Sequence, residues 1–266
     1  MHSPLTPLTC HLHGRRALVT GGAQGIGLAI TQALVAQGAR VHICGTNAAA
    51  LKEAQQSLPG ISISVADITK ESQVSTMFAE IEQQMSGLDI LVNNAGIAGP
   101  TAAVEDITLA DWTHCLEVNL TGTFLCTRGA VPGMKQRRHG SIINIGSVAS
   151  RLAFPRRSPY SATKYGVIGL TETWATELGP HQIRVNAILP GIVEGPRQDR
   201  VLGASAEAAG VTVHEMRERV LQRVSLRSMV SADDIGATVV FLCSEAGASI
   251  SGQSLSVDGN VETLVR

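Results

Sequence analysis

Arg16-Ala17-Leu18-Val19-Thr20 is a short apolar run that leads directly into Gly21-Gly22-Ala23-Gln24-Gly25-Ile26-Gly27, and a helical pattern continues from there to Gly38. Strand, glycine turn and helix follow one another without a spacer. Glycines let the backbone turn tightly and approach a ligand closely. The amino end of the helix behind them favours negative charge, so a pyrophosphate is the natural occupant. The spacing Gly-x-x-x-Gly-x-Gly differs from the usual Gly-x-Gly-x-x-Gly, and a turn of this kind can also be merely structural. Its context is what points to a nucleotide.

Working outward, the same rhythm repeats. Strands are expected at 41–44, 61–65, 88–92, 141–146, 183–189 and 254–257. Helices are expected at 48–58, 70–86, within 109–138, from 159 onward and at 232–244, with Pro59-Gly60 and Gly87 as helix stops and Pro190-Gly191 ending the strand 183–189. Strands alternating with helices of this length mean βαβ units. The expected fold is α/β, a Rossmann-type doubly wound parallel sheet of about seven strands in one domain, 14–266. Residues 1–13 read as a loose tail. The segment 192–228 breaks the rhythm with Gly195-Pro196, Gly203 and Gly210, then offers Thr212-Val213-His214-Glu215, a capping box that opens a short helix. An insertion of this length suits a substrate lid.

Composition narrows the function classes. The chain has 266 residues, 44% of them hydrophobic, with 27 Gly and a net charge of −1. The charges form no block, which argues against a nucleic-acid partner. No apolar run approaches the roughly 18 residues that span a bilayer, and the N-terminus lacks a secretion pattern. Five scattered cysteines without a C-x-x-C, and histidines without ligand spacing, give no disulfide framework and no metal site. A cytoplasmic setting is expected.

Ser147 and the stretch Ser158-Pro159-Tyr160-Ser161-Ala162-Thr163-Lys164 carry the chemistry. Ser158 reads as a helix cap and Pro159 as the first helical residue. Tyr160 and Lys164 then lie one turn apart on one face. A free phenol titrates near pH ~10. An ammonium at about 4 Å is worth roughly 4 kcal/mol at an effective dielectric of ~20, enough to draw such a phenol toward neutrality. The pair suits a general acid/base. Ser147 ends the apolar run 142–146, at the strand edge where open α/β sheets hold ligands. On its own, Tyr-x-x-x-Lys is also an ordinary surface pair.

After the second strand, Cys44-Gly45-Thr46-Asn47 offers no carboxylate for the ribose hydroxyls of NAD. Without that charge a 2′-phosphate is not repelled, and Thr46 and Asn47 can donate to it. No arginine stands there. The balance favours NADP over NAD.

Together, Thr20-Gly21-x-x-x-Gly25-Ile26-Gly27, Asn93-Asn94-Ala95-Gly96, Asn119, Ser147, Tyr160-x-x-x-Lys164 and Pro190-Gly191 resemble the short-chain dehydrogenase/reductase family, over about residues 14 to 258. The resemblance implies an NAD(P)-dependent oxidoreductase interconverting a secondary alcohol and a ketone, in the manner of the 3-oxoacyl reductase-like branch. Tyr160 would move the proton at the substrate oxygen and Ser147 would hold that oxygen. Lys164 would bias the tyrosine and bind the nicotinamide ribose, and Asn119 would hold a water linking Lys164 to solvent. Gly21, Gln24, Gly25, Ile26 and Gly27 would line the pyrophosphate, with Gly45, Thr46 and Asn47 beside the adenosine ribose. Asp67 and Ile68 would flank the adenine, although Asp67-Ile68-Thr69 also reads as a helix cap. Asn93, Ala95 and Gly96 would follow the ribose, where a plain strand-to-loop turn is the alternative. Pro190, Gly191 and Val193 would pack on the nicotinamide. The resemblance also implies a homotetramer, with helices around 111–138 and 158–179 at one interface. One departure stands out: Gly195 occupies the place of a family threonine that contacts the carboxamide.

Arg151, Arg156, Arg157, Arg197 and Arg200 gather near the expected pocket. One or two of them could receive an anionic substrate, and solvated surface arginines are the alternative. Two competing readings of the chain are a catalytically silent dinucleotide sensor or scaffold, and a methyltransferase on a similar sheet. The first has no reason to keep Asn119, Ser147, Tyr160 and Lys164 together, and the second has no use for the Tyr160 and Lys164 pair.

Overall fold

Apolar runs without alternation predict strands covered on both faces. The computed structural model describes residues 10–262. Its strands are β1 (Arg16–Thr20), β2 (Arg40–Gly45), β3 (Ser62–Val65), β4 (Ile90–Asn93), β5 (Gly140–Ile145), β6 (Ile183–Pro190) and β7 (Ser254–Val257). They form one parallel sheet in the order β3-β2-β1-β4-β5-β6-β7. The order reverses between β1 and β4, which opens a crevice at the carboxyl ends of those two strands.

Successive strand residues feed opposite cores. Ala17, Val19, Ile90, Val92, Ile143 and Ile145 face α1 (Gly25–Ala36) and α9 (Ala232–Cys243). Leu18, Leu91, Ile142 and Val185 face α3 (Glu71–Met85), α5 (Gly122–Arg137) and α6 (Ser158–Leu178). Each of these strand residues is buried, and enclosing one aliphatic side chain is worth about 1.5–3 kcal/mol. The remaining helices are α2 (Ala48–Ser57), α4 (Leu109–Leu116), α7 (Pro196–Ala209) and α8 (Val213–Leu221). No helix among the described residues is long and apolar enough to cross a membrane.

Three expectations need correction, and a fourth, the helical stretch within 109–138, is borne out with a finer structure. The tail is not loose throughout: Leu12 is fully buried in the core and its N–H donates to the Gln37 carbonyl, while residues 1–9 lie outside the described residues. The helical stretch within 109–138 is α4 and α5 joined by a π turn at Glu117–Thr121, closed by the Gly122 N–H on the Glu117 carbonyl. The lid segment holds two helices rather than one. The capping box forms at α8, where Thr212 and Glu215 bond reciprocally, but Gly203 sits inside α7 and only Gly210 ends it. Finally, α6 starts at Ser158 itself, with Arg157 before it making no side-chain cap and Pro159 inside the first turn. Proline is tolerated there because first-turn N–H groups lack helical partners anyway.

His42, in the middle of β2, makes stability depend on pH. It is fully enclosed, with Nδ1 2.8 Å from Ser62 Oγ and Nε2 2.8 Å from Ser64 Oγ. Ser64 Oγ in turn donates to the Glu80 carboxylate. Burial lowers the His42 pKa from 6.5 to about 4, against the opposing pull of Glu80. The unfolded chain therefore takes up this proton first as pH falls. The stabilisation is complete above about 6.5 and is lost on the way down through about 4, roughly 3 kcal/mol in all. In His42→Gln the melting temperature should change less between those two pH values than in the wild type. Parallel curves from thermal melts would remove His42 from the account.

Candidate active site

The glycine turn sits at the switch point. Gly21 and Gly25 have positive φ, +63° and +52°, a region that side chains disfavour. Gly27 faces the turn: a Cβ there would lie 2.0 Å from the Gly21 carbonyl oxygen. Side chains brace this geometry from outside. Asn94 Nδ2 donates to the carbonyls of Thr20 at 2.9 Å and Gly21 at 3.2 Å. Thr20 Oγ1 accepts from the N–H groups of Asn94 and Ala95, both at 3.0 Å. Thr31 Oγ1 bonds the carbonyls of Gly22 and Gly27. Thr20, Thr31 and Asn94 were missed as site residues, although the first and last stand in the quoted motifs. Gln24 precedes α1 without a side-chain cap, and nothing lies within 4 Å of a Cβ built on Gly25. An open cradle before an uncapped helix end fits a pyrophosphate.

Where the adenosine was expected, Gly45 has open space beside it and Thr46 is exposed. Asn47 is the cap of α2: its Oδ1 accepts from the Ala50 N–H at 3.1 Å, leaving only its amide hydrogens to donate elsewhere. Asp67 does not cap α3. It closes a turn by accepting from the Thr69 N–H and hydroxyl, and Lys70 precedes the helix. Ile68 is buried against Gly122. The Asn93 amide points inward, donating to Thr127 Oγ1 at 3.1 Å and Asn144 Oδ1 at 2.9 Å, so only its main chain can border the groove. Ala95 runs beside Gly21, with its Cα 3.2 Å from the Cβ position of that glycine.

The residues expected to react gather at the ends of β4 and β5. Ser147 follows β5 and heads a short turn in which its Oγ accepts from the Ala149 N–H at 3.1 Å. That leaves its own hydrogen to donate. α6 packs on this turn and carries Tyr160 and Lys164. The Lys164 ammonium is buried, donates to the Ile145 carbonyl at 2.8 Å, and lies 5.7 Å from the centre of the Tyr160 ring. Gly96 brings the loop after β4 against the same spot: a Cβ there would be 3.1 Å from Asn119 Oδ1 and 3.7 Å from Lys164 Nζ. The Asn119 carboxamide is committed to protein partners. Oδ1 accepts from the Ile97 N–H, and Nδ2 donates to the Ile97 carbonyl and to Thr163 Oγ1. The water-holding task expected of this residue therefore does not fall to its amide hydrogens. The π turn that carries Asn119 was not foreseen; an asparagine inside a helical pattern was its one signal.

On the lid side, β6 ends at Pro190, and Gly191 lies against Asp258, whose Cα is 2.6 Å from its Cβ position. Val193 bridges to Val230. Gly195 has φ +137° and ψ 175°, a glycine-only region. The turn into α7 thus explains why the family threonine is absent. The arginines separate. Arg151 donates to the Ser254 carbonyl at 2.5 Å on β7, and Arg200 to Pro196 within α7. Arg156 is exposed, and the side chain of Arg197 lies outside the described residues. Among the described arginine side chains, Arg157 borders the tyrosine, its guanidinium 6.0 Å from the Tyr160 ring and 5.5 Å from that of Phe154, and it donates to Thr101 Oγ1 at 2.6 Å. Among the described residues no group of His, Cys, Asp and Glu could hold a metal.

A doubly wound sheet with a glycine cradle at its switch point and an ammonium beside a phenol defines the class: a dinucleotide-dependent oxidoreductase. Known proteins agree. Residues 15–203 match the family described as short chain dehydrogenase. The chain is 39% identical over 253 residues to D-beta-hydroxybutyrate dehydrogenase of Cupriavidus necator, covering 93% of this chain and 98% of that protein. It is 34% identical over 254 residues to 3-oxoacyl-[acyl-carrier-protein] reductase FabG of Thermotoga maritima, covering 94% and 98%. A variant of actinorhodin polyketide ketoreductase with NADPH superposes with a TM-score of 0.89 at 31% identity, covering 93% and 97%. NAD+-bound xylitol dehydrogenase gives 0.87 at 29%, covering 93% and 98%. The chain belongs to the short-chain dehydrogenase family and is an NAD(P)-dependent enzyme acting on alcohol and keto groups.

Proposed function

We propose that the chain interconverts a secondary alcohol carrying a nearby carboxylate and the corresponding ketone, with Tyr160 as the proton donor and acceptor. The observation that carries this reading is the buried Lys164 ammonium, anchored on the Ile145 carbonyl beside the Tyr160 ring. With that cation beside its ring, the Tyr160 hydroxyl gives or takes a proton at the substrate oxygen. Ser147, oriented by the Ala149 N–H, donates to that same oxygen. A nicotinamide dinucleotide supplies the hydride when bound; Gly21, Gly25 and Gly27 would seat its phosphates, and Pro190, Gly191 and Val193 would border its nicotinamide.

The dinucleotide is read as NADP. Gly45 brings no carboxylate, and the amino end of α2 begins close behind it. Arg157 is the substrate's anion partner, since it is the described arginine lying beside Tyr160; a similar chain is named for a β-hydroxy acid. Exposed Leu109, Trp112, Phe124 and Tyr165 lie on α4, α5 and α6 and support a homotetramer closed through those helices. Five free thiols support a reducing, cytoplasmic setting.

Kinetics with 3-hydroxybutyrate and its methyl ester test the substrate reading. A charge-assisted hydrogen bond is worth about 1.5–3 kcal/mol, so the acid should be favoured by roughly ten- to hundredfold in kcat/KM, and Arg157→Ala should erase the difference. Equal turnover of acid and ester by the wild type would discard the carboxylate. With NADPH and NADH compared on the same substrate, the wild type should favour NADPH and Gly45→Asp should reverse the order.

A further inference from the structure

Thr163 is fully buried on α6, directly before Lys164. Other threonines of this helix return their hydroxyls to the preceding turn in the ordinary way, Thr171 to Val167 and Thr176 to Glu172. Thr163 makes the same return bond and, like Thr171 with Asn144, also accepts from a buried asparagine; what sets it apart is that its return bond falls on the Tyr160 carbonyl. Its Oγ1 donates to the Tyr160 carbonyl at 2.7 Å and accepts from Asn119 Nδ2 at 3.0 Å. A hydroxyl has one hydrogen, so this direction is fixed. Asn119 in turn grips both the N–H and the carbonyl of Ile97, and Cys115 Sγ lies 3.5 Å from its Nδ2. An unbroken chain of hydrogen bonds thus runs from the loop after β4, through the π turn, to the backbone of Tyr160.

We propose that Thr163 is a positioning residue for the reaction, pinning the first turn of α6 so that the Tyr160 phenol meets the substrate oxygen. The inference rests on Tyr160 being the proton donor and acceptor. Asn119 then acts through Thr163 and Ile97. Loss of the hydroxyl leaves the Asn119 amide with Ile97 and the weaker acceptor Cys115 Sγ, and cuts the link between Asn119 and the Tyr160 carbonyl. Small misplacements of a reacting group are costly to rate even when binding is unaffected.

The test uses the full chain, with Thr163→Val, which keeps the volume and removes the hydroxyl, and Thr163→Ser, which keeps the hydroxyl. The valine variant should lose about tenfold or more in kcat, with KM for substrate and Kd for NADPH within about twofold of wild type. The serine variant should stay within about threefold in kcat. In the cofactor-free protein, hydrogen exchange at the Ile97 amide should quicken in the valine variant only, since that amide leans on Asn119. If Thr163→Val does not fold, Thr163→Cys, of similar volume and weaker hydrogen bonding, is read by the same criterion. Wild-type kcat without the hydroxyl, or equal losses in the valine and serine variants, would overturn the proposal. A fully active Tyr160→Phe enzyme would instead overturn the reading on which it rests.

Discussion

Tyr160→Phe should lower kcat by about a thousandfold, within the 10²–10⁴ range that a positioned acid/base supplies. The substitution removes one oxygen from a half-exposed ring, so packing against Phe154, 6.4 Å away and edge-on, is retained. The melting temperature and the Kd for NADPH should therefore stay close to wild type. The loss should appear equally in kcat and kcat/KM, because the missing interaction belongs to the transition state and not to binding. A rapid assay on any active alcohol, with the dinucleotide saturating, reads it directly. If the phenylalanine enzyme keeps a tenth or more of the wild-type rate, the proton travels another way. A dinucleotide sensor without catalysis would show no turnover to lose.

Gly27→Ala should nearly abolish dinucleotide binding, by about a hundredfold or more in Kd. Its new methyl group would stand 2.0 Å from the Gly21 carbonyl oxygen, 2.6 Å from Asn94 Nδ2 and 2.8 Å from the Gly21 carbonyl carbon. Two of these three atoms are backbone, and the third is tied to Thr20 and Gly21. The turn has to open, and overpacking of this kind costs about 1–3 kcal/mol of stability as well. Gly25→Ala is the instructive comparison. Nothing lies within 4 Å of its Cβ position, so only the backbone conformation resists. A cost of about 1–2 kcal/mol in stability is expected there. Titrating both variants with NADPH by fluorescence, alongside thermal melts, separates the two mechanisms. Unchanged affinity in Gly27→Ala would remove the glycine turn as the phosphate seat.

The local signals were legible because they are local. Each strand is an apolar run whose neighbours bury both faces, and each turn is marked by glycine or proline. Arg151 shows where such reading stops. In the sequence it stands with Arg156 and Arg157 before Tyr160, three of the five candidates for an anionic substrate. In the fold it reaches β7, a strand more than a hundred residues later, and of the three Arg157 stays beside the phenol. Gly195 shows the reverse: a departure from the family pattern becomes intelligible once its φ of +137° is known.

What the sequence determined by itself was the doubly wound sheet, the glycine cradle, the capping box at Thr212, and the pairing of Tyr160 with Lys164 one helical turn apart. Those features follow from periodicity and spacing along a single stretch of chain. Only the tertiary structure decided that Asn119 is committed to Ile97 and Thr163, that Asn93 turns inward to Thr127 and Asn144, and that Leu12 belongs to the core. Each of those outcomes is a hydrogen bond or a burial between residues apart in the chain, settled by how the β4 loop, the π turn and α6 meet for Asn119, by α5 and β5 for Asn93, and by the end of α1 for Leu12.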